Sequence, residues 1–325
     1  LLAHYALKLH ADINFDFAHH MTFVNDWMPS GLAVLNIPFV WGPVGHHPKP
    51  PECIDRSQAH ADRSPFLRNV VTKGMQNLNL STVMTRRRAN IILAINQDIQ
   101  HEMASKVSSE TKVLLCAQNA VGREEIGRAK RIEIDSEKPF KIVFAGRMVS
   151  IKGPDLVIDA FAQLIEQRPN RNLECHFVGS GPLEGYVKKR LNELHLHDKV
   201  FLHGLVSREK VLNIMNESNI FVFPSAEGAG MVVLEAMAKG LPVVCLDYGG
   251  PGEYINESCG IRVRCGPREK TVREISCAMD LLSSDSGYFN QLSNGAIERI
   301  RTSYTWDHIA ETMKKMYSDL MYYTN

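Results

Sequence analysis

The stretch from Ile220 to Val244 constrains the fold more than any other part of the chain. Its first residues, Ile220–Phe223, form a short apolar run that is typical of a buried parallel strand, and Pro224 ends that run. Residues 227–240 then predict a glycine-rich turn leading into a helix, with Gly240 placed to end the helix. Because bare backbone N–H groups at a helix start attract anions, this segment predicts a phosphate-binding site.

Two carboxylates belong to this segment, Glu227 on the turn and Glu235 on the helix. At a rise of about 1.5 Å per residue, the second carboxylate stays within roughly 6 to 8 Å of the helix start. That is the reach of a nucleoside diphosphate sugar, so one carboxylate can accept hydrogen bonds from sugar hydroxyls and the other from a ribose. The alternative is two ordinary solvent-facing acids, and the surrounding strand and glycine turn argue against it.

Two cations are predicted at the same edge of the sheet. Arg147 follows the strand 141–145, and Lys152 stands just before a helix that begins at Gly153-Pro154-Asp155. Because open parallel sheets bind ligands at the carboxyl ends of their strands, these cations are placed to neutralise a diphosphate. The alternative is that both merely solvate a loop.

Alternating apolar runs and helical patterns predict an α/β chain with parallel sheets. The expected strands lie at residues 15–21, 38–41, 91–95, 112–116, 141–145, 173–178, 200–203, 220–223, 242–246 and 261–263. A length of 325 residues is enough for two domains, since single cores stop growing near about 250 to 300 residues. We expect a first domain at 1–139, a second at 140–300, and a C-terminal helix at 301–325 that crosses back to the first.

The charge balance excludes a nucleic-acid partner, because 37 Lys and Arg residues against 36 Asp and Glu residues leave no net field. The 7 cysteines occur without a C-x-x-C pair and are typical of core residues in a reducing compartment. No signal peptide or apolar run of about 18 residues is present, so we expect a soluble, cytoplasmic protein.

A predicted helix at 64–88 ends in Arg86-Arg87-Arg88. An ordinary core helix is favoured there, with weak peripheral contact to the inner membrane face as the alternative.

Several motifs resemble one known family. Gly146-Arg147 with Lys152-Gly153, the turn Gly179-Ser180-Gly181-Pro182, the segment from Glu227 to Glu235, and the turn Gly249–Glu253 follow one another in a characteristic order and spacing. They look like the donor domain of the retaining glycosyltransferases of family four, which have the GT-B fold. The resemblance is strong over residues 140–265. It extends weakly to Phe15–His20, similar to a strand that carries a His, and to Asn119, although Ala120 replaces the family's Gly.

The resemblance implies two facing Rossmann-like domains and transfer of a sugar, with retention, from a nucleoside diphosphate donor to a glycan, lipid-linked or small-molecule acceptor. Arg147 and Lys152 would hold the diphosphate, Glu235 the ribose, and Glu227 the transferred sugar. The backbone groups expected around the donor are those of Gly146, Gly179, Gly181, Gly228, Ala229, Gly230 and Met231. The sequence has no Asp-x-Asp pair for a divalent ion, so we expect no metal and no cofactor.

Histidine pairs occur at His19-His20 and His46-His47. Strand alternation puts the members of each pair on opposite faces, so one of His19 and His20 is expected to face the cleft and act in catalysis. The alternation leaves open which one. No histidine spacing repeats, which argues against a metal site.

Two other functions stay open from the sequence. One is an epimerase or hydrolase of the same fold that acts on nucleotide sugars. The other is a nucleotide-sugar-binding subunit without activity. The family's first strand and glycine-rich loop have no counterpart before Leu1, so we interpret the chain as lacking an N-terminal segment.

Overall fold

The computed structural model describes residues 1–21, 24–46, 50–54, 74, 79–128, 130 and 138–324. The chain divides into two compact units. Unit 1 consists of residues 1–47, 62–118 and 307–325, and unit 2 of residues 48–61 and 119–306. The domain boundaries at 139 and 300 stay predictions. Most of the predicted helix at 64–88 and all of His47 lie outside the described residues.

The described elements alternate as the sequence predicts. The strands are β1 (Ala18–His20), β2 (Phe39–Val44), β3 (Ile91–Ala94), β4 (Lys112–Leu115), β5 (Phe140–Ala145), β6 (Leu173–Val178), β7 (Val200–Gly204), β8 (Ile220–Phe223), β9 (Val243–Leu246) and β10 (Gly260–Val263). The helices are α1 (Leu2–Ile13), α2 (Leu80–Arg88), α3 (Gln97–Ala104), α4 (Pro154–Gln167), α5 (Glu184–Glu193), α6 (Arg208–Glu217), α7 (Met231–Ala238), α8 (Gly249–Tyr254), α9 (Arg268–Ser284), α10 (Ser286–Ser303) and α11 (Trp306–Thr324). Within the described ranges, none of these helices has the length and apolar character needed to span a membrane.

Unit 1 is built on a parallel sheet of order β1-β2-β3-β4. Alternation along β2 sends Phe39 and Trp41 into one apolar layer, whereas Val40 faces the other side. There Val40 packs in one cluster with Met316 and Leu320 of α11. The prediction that the C-terminal helix returns to the first domain is therefore confirmed.

The sequence after Ser30 predicts a helix in unit 1, and the structure forms only a short turn there. The sequence after Ser30 forms a 3₁₀ turn, Gly31–Val34, capped by the Ser30 hydroxyl, which accepts from the Leu32 N–H at 3.1 Å. Leu35 is already extended, so the segment enters β2 without room for a longer helix.

Unit 2 carries a parallel sheet of order β10-β9-β8-β5-β6-β7. The chain runs outward from β5 to β7 on one side and from β8 to β10 on the other. Neighbouring strands β5 and β8 therefore mark the switch point, where such sheets form a ligand crevice. All four residues of β8 are fully buried, which explains their apolar run. The predicted α/β class with two parallel sheets is confirmed.

Candidate functional site

Three of the predicted site residues meet at the switch point of unit 2. Arg147 and Lys152 follow β5, and Glu227 follows β8, so the pairing of the two strands brings them together. The Lys152 ammonium forms an ion pair with Glu227 Oε2 and lies 5.0 Å from the centre of the Phe223 ring. The side chains of Lys152 and Glu227 are 20% and 19% exposed, so the pair is largely withdrawn from water.

The second oxygen of this carboxylate has no donor. Glu227 Oε1 is buried and, among the residues that the structure describes, makes no hydrogen bond. The turn that carries it is held by the loop before α4, because the Ala226 N–H donates to the Ile151 carbonyl at 2.8 Å. The Glu227 N–H donates to the Ser225 hydroxyl at 3.3 Å. A fixed carboxylate with an unsatisfied oxygen is suited to accept a hydrogen bond from a ligand hydroxyl.

Helix α7 begins directly after the glycine turn and has no side-chain cap. Gly230 is its N-cap residue and offers no side chain to the first N–H groups. The turn before it is supported by Gly249, which has φ +60°, and a Cβ there would stand 2.3 Å from the Glu227 carbonyl oxygen. The Gly250 N–H donates to that same oxygen at 2.9 Å. The segment Gly249–Glu253, predicted as a turn, is instead most of the short helix α8, and its first residues hold the loop of Glu227 in place. The uncapped start of α7 is suited to an anion.

The turns after β5 and β6 lie against each other. Gly179 has φ +123°, and a Cβ on it would stand 2.0 Å from the Gly146 carbonyl oxygen. The Gly146 N–H donates to the Val178 carbonyl at 2.9 Å, and Gly181 packs in the same way on Met148. These predicted glycines permit a close backbone approach at the ligand edge of the sheet.

These groups border one cavity of about 440 Å³ within unit 2. It is lined by Ala145, Gly146, Arg147, Lys152, Val178, Gly179, Ser180, Leu205, Val206, Val211, Glu227, Met231 and Val232. Arg147 is exposed and makes no ion pair with any described residue. Leu205, Val206 and Val211 form an apolar wall that we did not predict, although their place after β7, at the same sheet edge, could have indicated it.

Glu235 lies one helical turn beyond this lining, four residues after Met231 on α7. Its side chain is 13% exposed, and its Oε1 accepts from Arg208 Nε at 3.0 Å and Arg208 Nη2 at 2.8 Å. Arg208 Nη2 also donates to Glu125 Oε2 at 3.0 Å. Arg208 and Glu125 could not be predicted from the sequence, because their spacing does not show that separate segments bring them to Glu235.

His19 is held within unit 1 by two partners. Its Nε2 lies 2.8 Å from the Gly42 carbonyl, which can only accept, so Nε2 carries the proton. Its Nδ1 then accepts from the Tyr317 hydroxyl at 2.6 Å. Burial lowers the pKa of His19, and burial also lowers the pKa of His20. The catalytic role expected of one of these two histidines stays a prediction.

A second group of polar side chains lies in unit 1, where Asp26, His46 and Glu102 each place one ligand-type atom within 4.8 Å of the others. The imidazole stands between the two acids, with Nδ1 2.8 Å from Asp26 and Nε2 3.6 Å from Glu102. Hydrogen bonding to Asp26 raises the pKa of His46, and Lys106 pairs with Glu102 at 2.5 Å. We call this group, held by the His46–Asp26 hydrogen bond and the ion pairs of Glu102, the bracket of Asp26, His46 and Glu102, and we assign no metal to it.

Unit 2 is a doubly wound α/β domain with charged side chains and an uncapped helix start at its switch point. Residues 126–299, more than half of the chain, match the family described as "Glycosyl transferases group 1", and the chain belongs to this family. The prediction of a glycosyltransferase is thereby confirmed at the level of the family.

Individual relatives agree with this assignment. An uncharacterised glycosyltransferase from Methanocaldococcus jannaschii is 30% identical over 205 residues, which are 62% of this chain and 50% of that protein. One subunit of the human phosphatidylinositol N-acetylglucosaminyltransferase is 28% identical over 254 residues, which are 74% of this chain and 49% of that protein. The chain thus spans about half the length of these relatives.

Solved structures show the same fold. A glycosyltransferase from Rickettsia africae superposes with a TM-score of 0.65 at 16% identity, covering 98% of this chain and 80% of that one. The Anabaena protein HepE, in complex with UDP and glucose, gives a TM-score of 0.64 at 18% identity, with the same coverages of 98% and 80%. These likenesses place the chain in the GT-B fold class.

Proposed function

We propose that the chain transfers a sugar from a nucleoside diphosphate donor to a glycan, lipid-linked or small-molecule acceptor, with retention of the anomeric configuration. The observation that carries the proposal is the grouping of Arg147, Lys152 and Glu227 around the uncapped start of α7 in one cavity. The complex of Anabaena HepE with UDP and glucose supports a donor of this kind.

The chemistry follows from where charge develops. Breaking the bond between the sugar and the diphosphate builds negative charge on the departing phosphate and positive charge on the sugar. Arg147, Lys152 and the α7 N–H groups stabilise the negative charge on the phosphate. Because that charge is larger in the transition state than in the ground state, these preformed positive groups lower the barrier. The carboxylate of Glu227 lies beside Lys152 and accepts from sugar hydroxyls. No protein nucleophile is assigned, and the departing phosphate takes up the acceptor's proton in this proposal.

The base of the donor has a matching surface. Leu205, Val206 and Val211 form the apolar side of the cavity, and Leu205 is 88% exposed. Burying an apolar side chain against the face of a base removes both from water. Because the positive groups are arginine, lysine and a helix start, we propose that transfer requires no divalent metal, and activity should persist in EDTA.

Donor turnover tests the proposal. UDP-glucose, UDP-N-acetylglucosamine and GDP-mannose would be incubated with the chain, with and without D-inositol 3-phosphate or phosphatidylinositol vesicles, acceptors suggested by the relatives' names. Release of nucleoside diphosphate only with acceptor supports transfer. Release without acceptor would favour a hydrolase, and binding without release would favour a non-catalytic subunit.

The variant Lys152→Ala should lower transfer about 10²- to 10³-fold, the usual loss when one group that stabilises transition-state charge is removed. Lys270→Ala is the matched control, because Lys270 pairs with Glu274 on the surface of α9 at 3.8 Å, outside the cavity lining. Circular dichroism of both variants checks the fold. Equal turnover in the two variants would contradict the site.

A further inference from the structure

Arg208 is the first residue of α6 and reaches across to the carboxylate on α7. Two of its nitrogens, Nε and Nη2, donate to the same atom, Glu235 Oε1, at 3.0 and 2.8 Å. Nη2 also donates to Glu125 Oε2 at 3.0 Å. One guanidinium therefore binds two carboxylates with its planar fork, an arrangement that a lysine cannot reproduce.

The segment that carries Glu125 is itself tied to the end of α7. The Lys239 ammonium donates to the Glu125 carbonyl at 2.9 Å, and the Gly127 N–H donates to the Ala238 carbonyl at 2.7 Å. Arg208 is fixed from its own side by the Ser207 cap, which accepts from the Lys210 N–H at 3.3 Å. The segments that carry Arg208 and Glu125 are thus each held by hydrogen bonds of their own.

The contact with Arg208 occupies one oxygen of the Glu235 carboxylate and leaves the other for a ligand. A carboxylate oxygen has about two acceptor sites, and the two Arg208 nitrogens fill those of Glu235 Oε1. Glu235 Oε2 makes no hydrogen bond with any residue in the described ranges, and the absence of a rival donor leaves both of its sites for a ligand. The 2′ and 3′ hydroxyls of one ribose are two donors.

We propose that Arg208 is a positioning residue, which holds Glu235 so that Oε2 receives the ribose hydroxyls and thereby sets a preference for ribonucleotides over deoxyribonucleotides. This inference rests on the proposed function. It also differs from an ordinary surface ion pair. Arg208 is 61% exposed, but its partner Glu235 is only 13% exposed, so the carboxylate has few other orientations.

Calorimetric binding of nucleoside diphosphates tests this. UDP, GDP and ADP would each be compared with the 2′-deoxy form, and the pair with the best-bound base carries the test. We expect wild-type protein to prefer the ribose form about 10-fold, since a hydrogen bond to a charged group contributes about 1.5 kcal/mol or more. In Arg208→Ala the preference should fall to about 2-fold or less, mainly through weaker binding of the ribose form.

Arg168→Ala is the matched control. Arg168 also donates its fork to one carboxylate, that of Asp280, with Nη2 at 2.9 Å, but it lies at the other end of the sheet, after α4. This variant should keep the wild-type ratio. Arg208→Lys keeps the charge without the fork, and we expect it to restore only part of the preference.

A double-mutant cycle of Arg208 and Glu235 separates a positioning role of Arg208 from a direct contact with the ribose. Glu235→Gln should remove most of the ribose preference, and adding Arg208→Ala to it should change the ratio no further, because both act on one carboxylate. An unchanged ratio in Arg208→Ala would overturn the inference, and so would tighter binding, which would mean that Arg208 competes with the ribose. Full rescue by Arg208→Lys would also overturn it. If wild-type protein binds none of the nucleotides, the proposed function itself fails.

Discussion

Replacing Lys152 and Glu227 should separate the stability of unit 2 from its binding function. Their side chains are only 20% and 19% exposed, and Glu227 Oε1 is buried without a hydrogen bond to any described residue. Breaking such a pair leaves a partly buried charge unbalanced. Exposed pairs contribute about 0 to 1 kcal/mol and breaking fully buried ones costs about 3 to 5 kcal/mol, so we expect Lys152→Met to destabilise unit 2 by about 2 kcal/mol.

The partner change should cost less. Glu227→Leu removes an unsatisfied buried oxygen, which in the wild type costs about 1 to 3 kcal/mol, and the freed lysine can extend its head towards water. These gains nearly offset the loss of the ion pair with Lys152, so the expected loss of stability is about 0 to 1 kcal/mol. The double variant removes both charges and should be about as stable as the wild type, as is often found when a buried pair is replaced by apolar residues. The coupling between the two changes is then about 2 to 3 kcal/mol.

Hydrogen exchange at the amides of β8 measures this free energy within unit 2, independently of unit 1. Nucleoside diphosphate binding, measured in parallel, should be lost in all three variants, since a site that holds charges out of water sacrifices stability for function. The reasoning is refuted if Lys152→Met exchanges like the wild type. It is also refuted if the double variant loses the sum of the two single losses.

Two further predictions follow from single residues. Gly249→Ala should destabilise unit 2 by about 1 to 3 kcal/mol and weaken nucleotide binding, because φ is +60° and the new Cβ would stand 2.3 Å from the Glu227 carbonyl. Gly185→Ala, where a Cβ meets nothing within 4 Å, is the control and should be neutral or slightly stabilising in the same exchange assay. The raised pKa of His46, caused first by its hydrogen bond to Asp26, should stabilise unit 1 fully below the unfolded pKa of about 6.5 and lose that contribution as the pH rises through the folded value. His46→Gln should therefore flatten the pH dependence of amide exchange in β2 above about pH 6.5, and an unchanged slope would contradict this assignment.

Most of the strands could be predicted because they are short, largely apolar runs with a turn signal after them. The run Ile220–Phe223 is one case, since all four side chains are fully buried and no polar residue had to be explained. The 3₁₀ turn Gly31–Val34 could not be distinguished from a longer helix, because its length is set by the entry into β2. The local sequence does not show where β2 lies in the fold, so it cannot predict that constraint.

The candidate site was predictable as a set of positions but not as a set of contacts. Strand order placed Lys152 and Glu227 at one edge, and the sequence assigned them to different parts of a ligand, whereas the structure pairs them with each other. Arg208 comes 27 residues before Glu235, on another helix, so only the three-dimensional structure reveals the contact. The bracket of Asp26, His46 and Glu102 likewise joins three separate segments whose spacing has no regular pattern.

The two carboxylates of the site share one arrangement. Glu227 commits Oε2 to Lys152 and leaves Oε1 without a donor, and Glu235 commits Oε1 to Arg208 and leaves Oε2 without one, among the residues described. Each acid is thus neutralised by a nearby cation before any ligand arrives, yet it keeps an acceptor. A neutral hydroxyl can then bind without leaving an unpaired charge buried. Burying an unpaired charge is usually the largest free-energy cost in binding a polar group. Arg147, which has no ion-pair partner in the described ranges, remains to meet the charge of the phosphates.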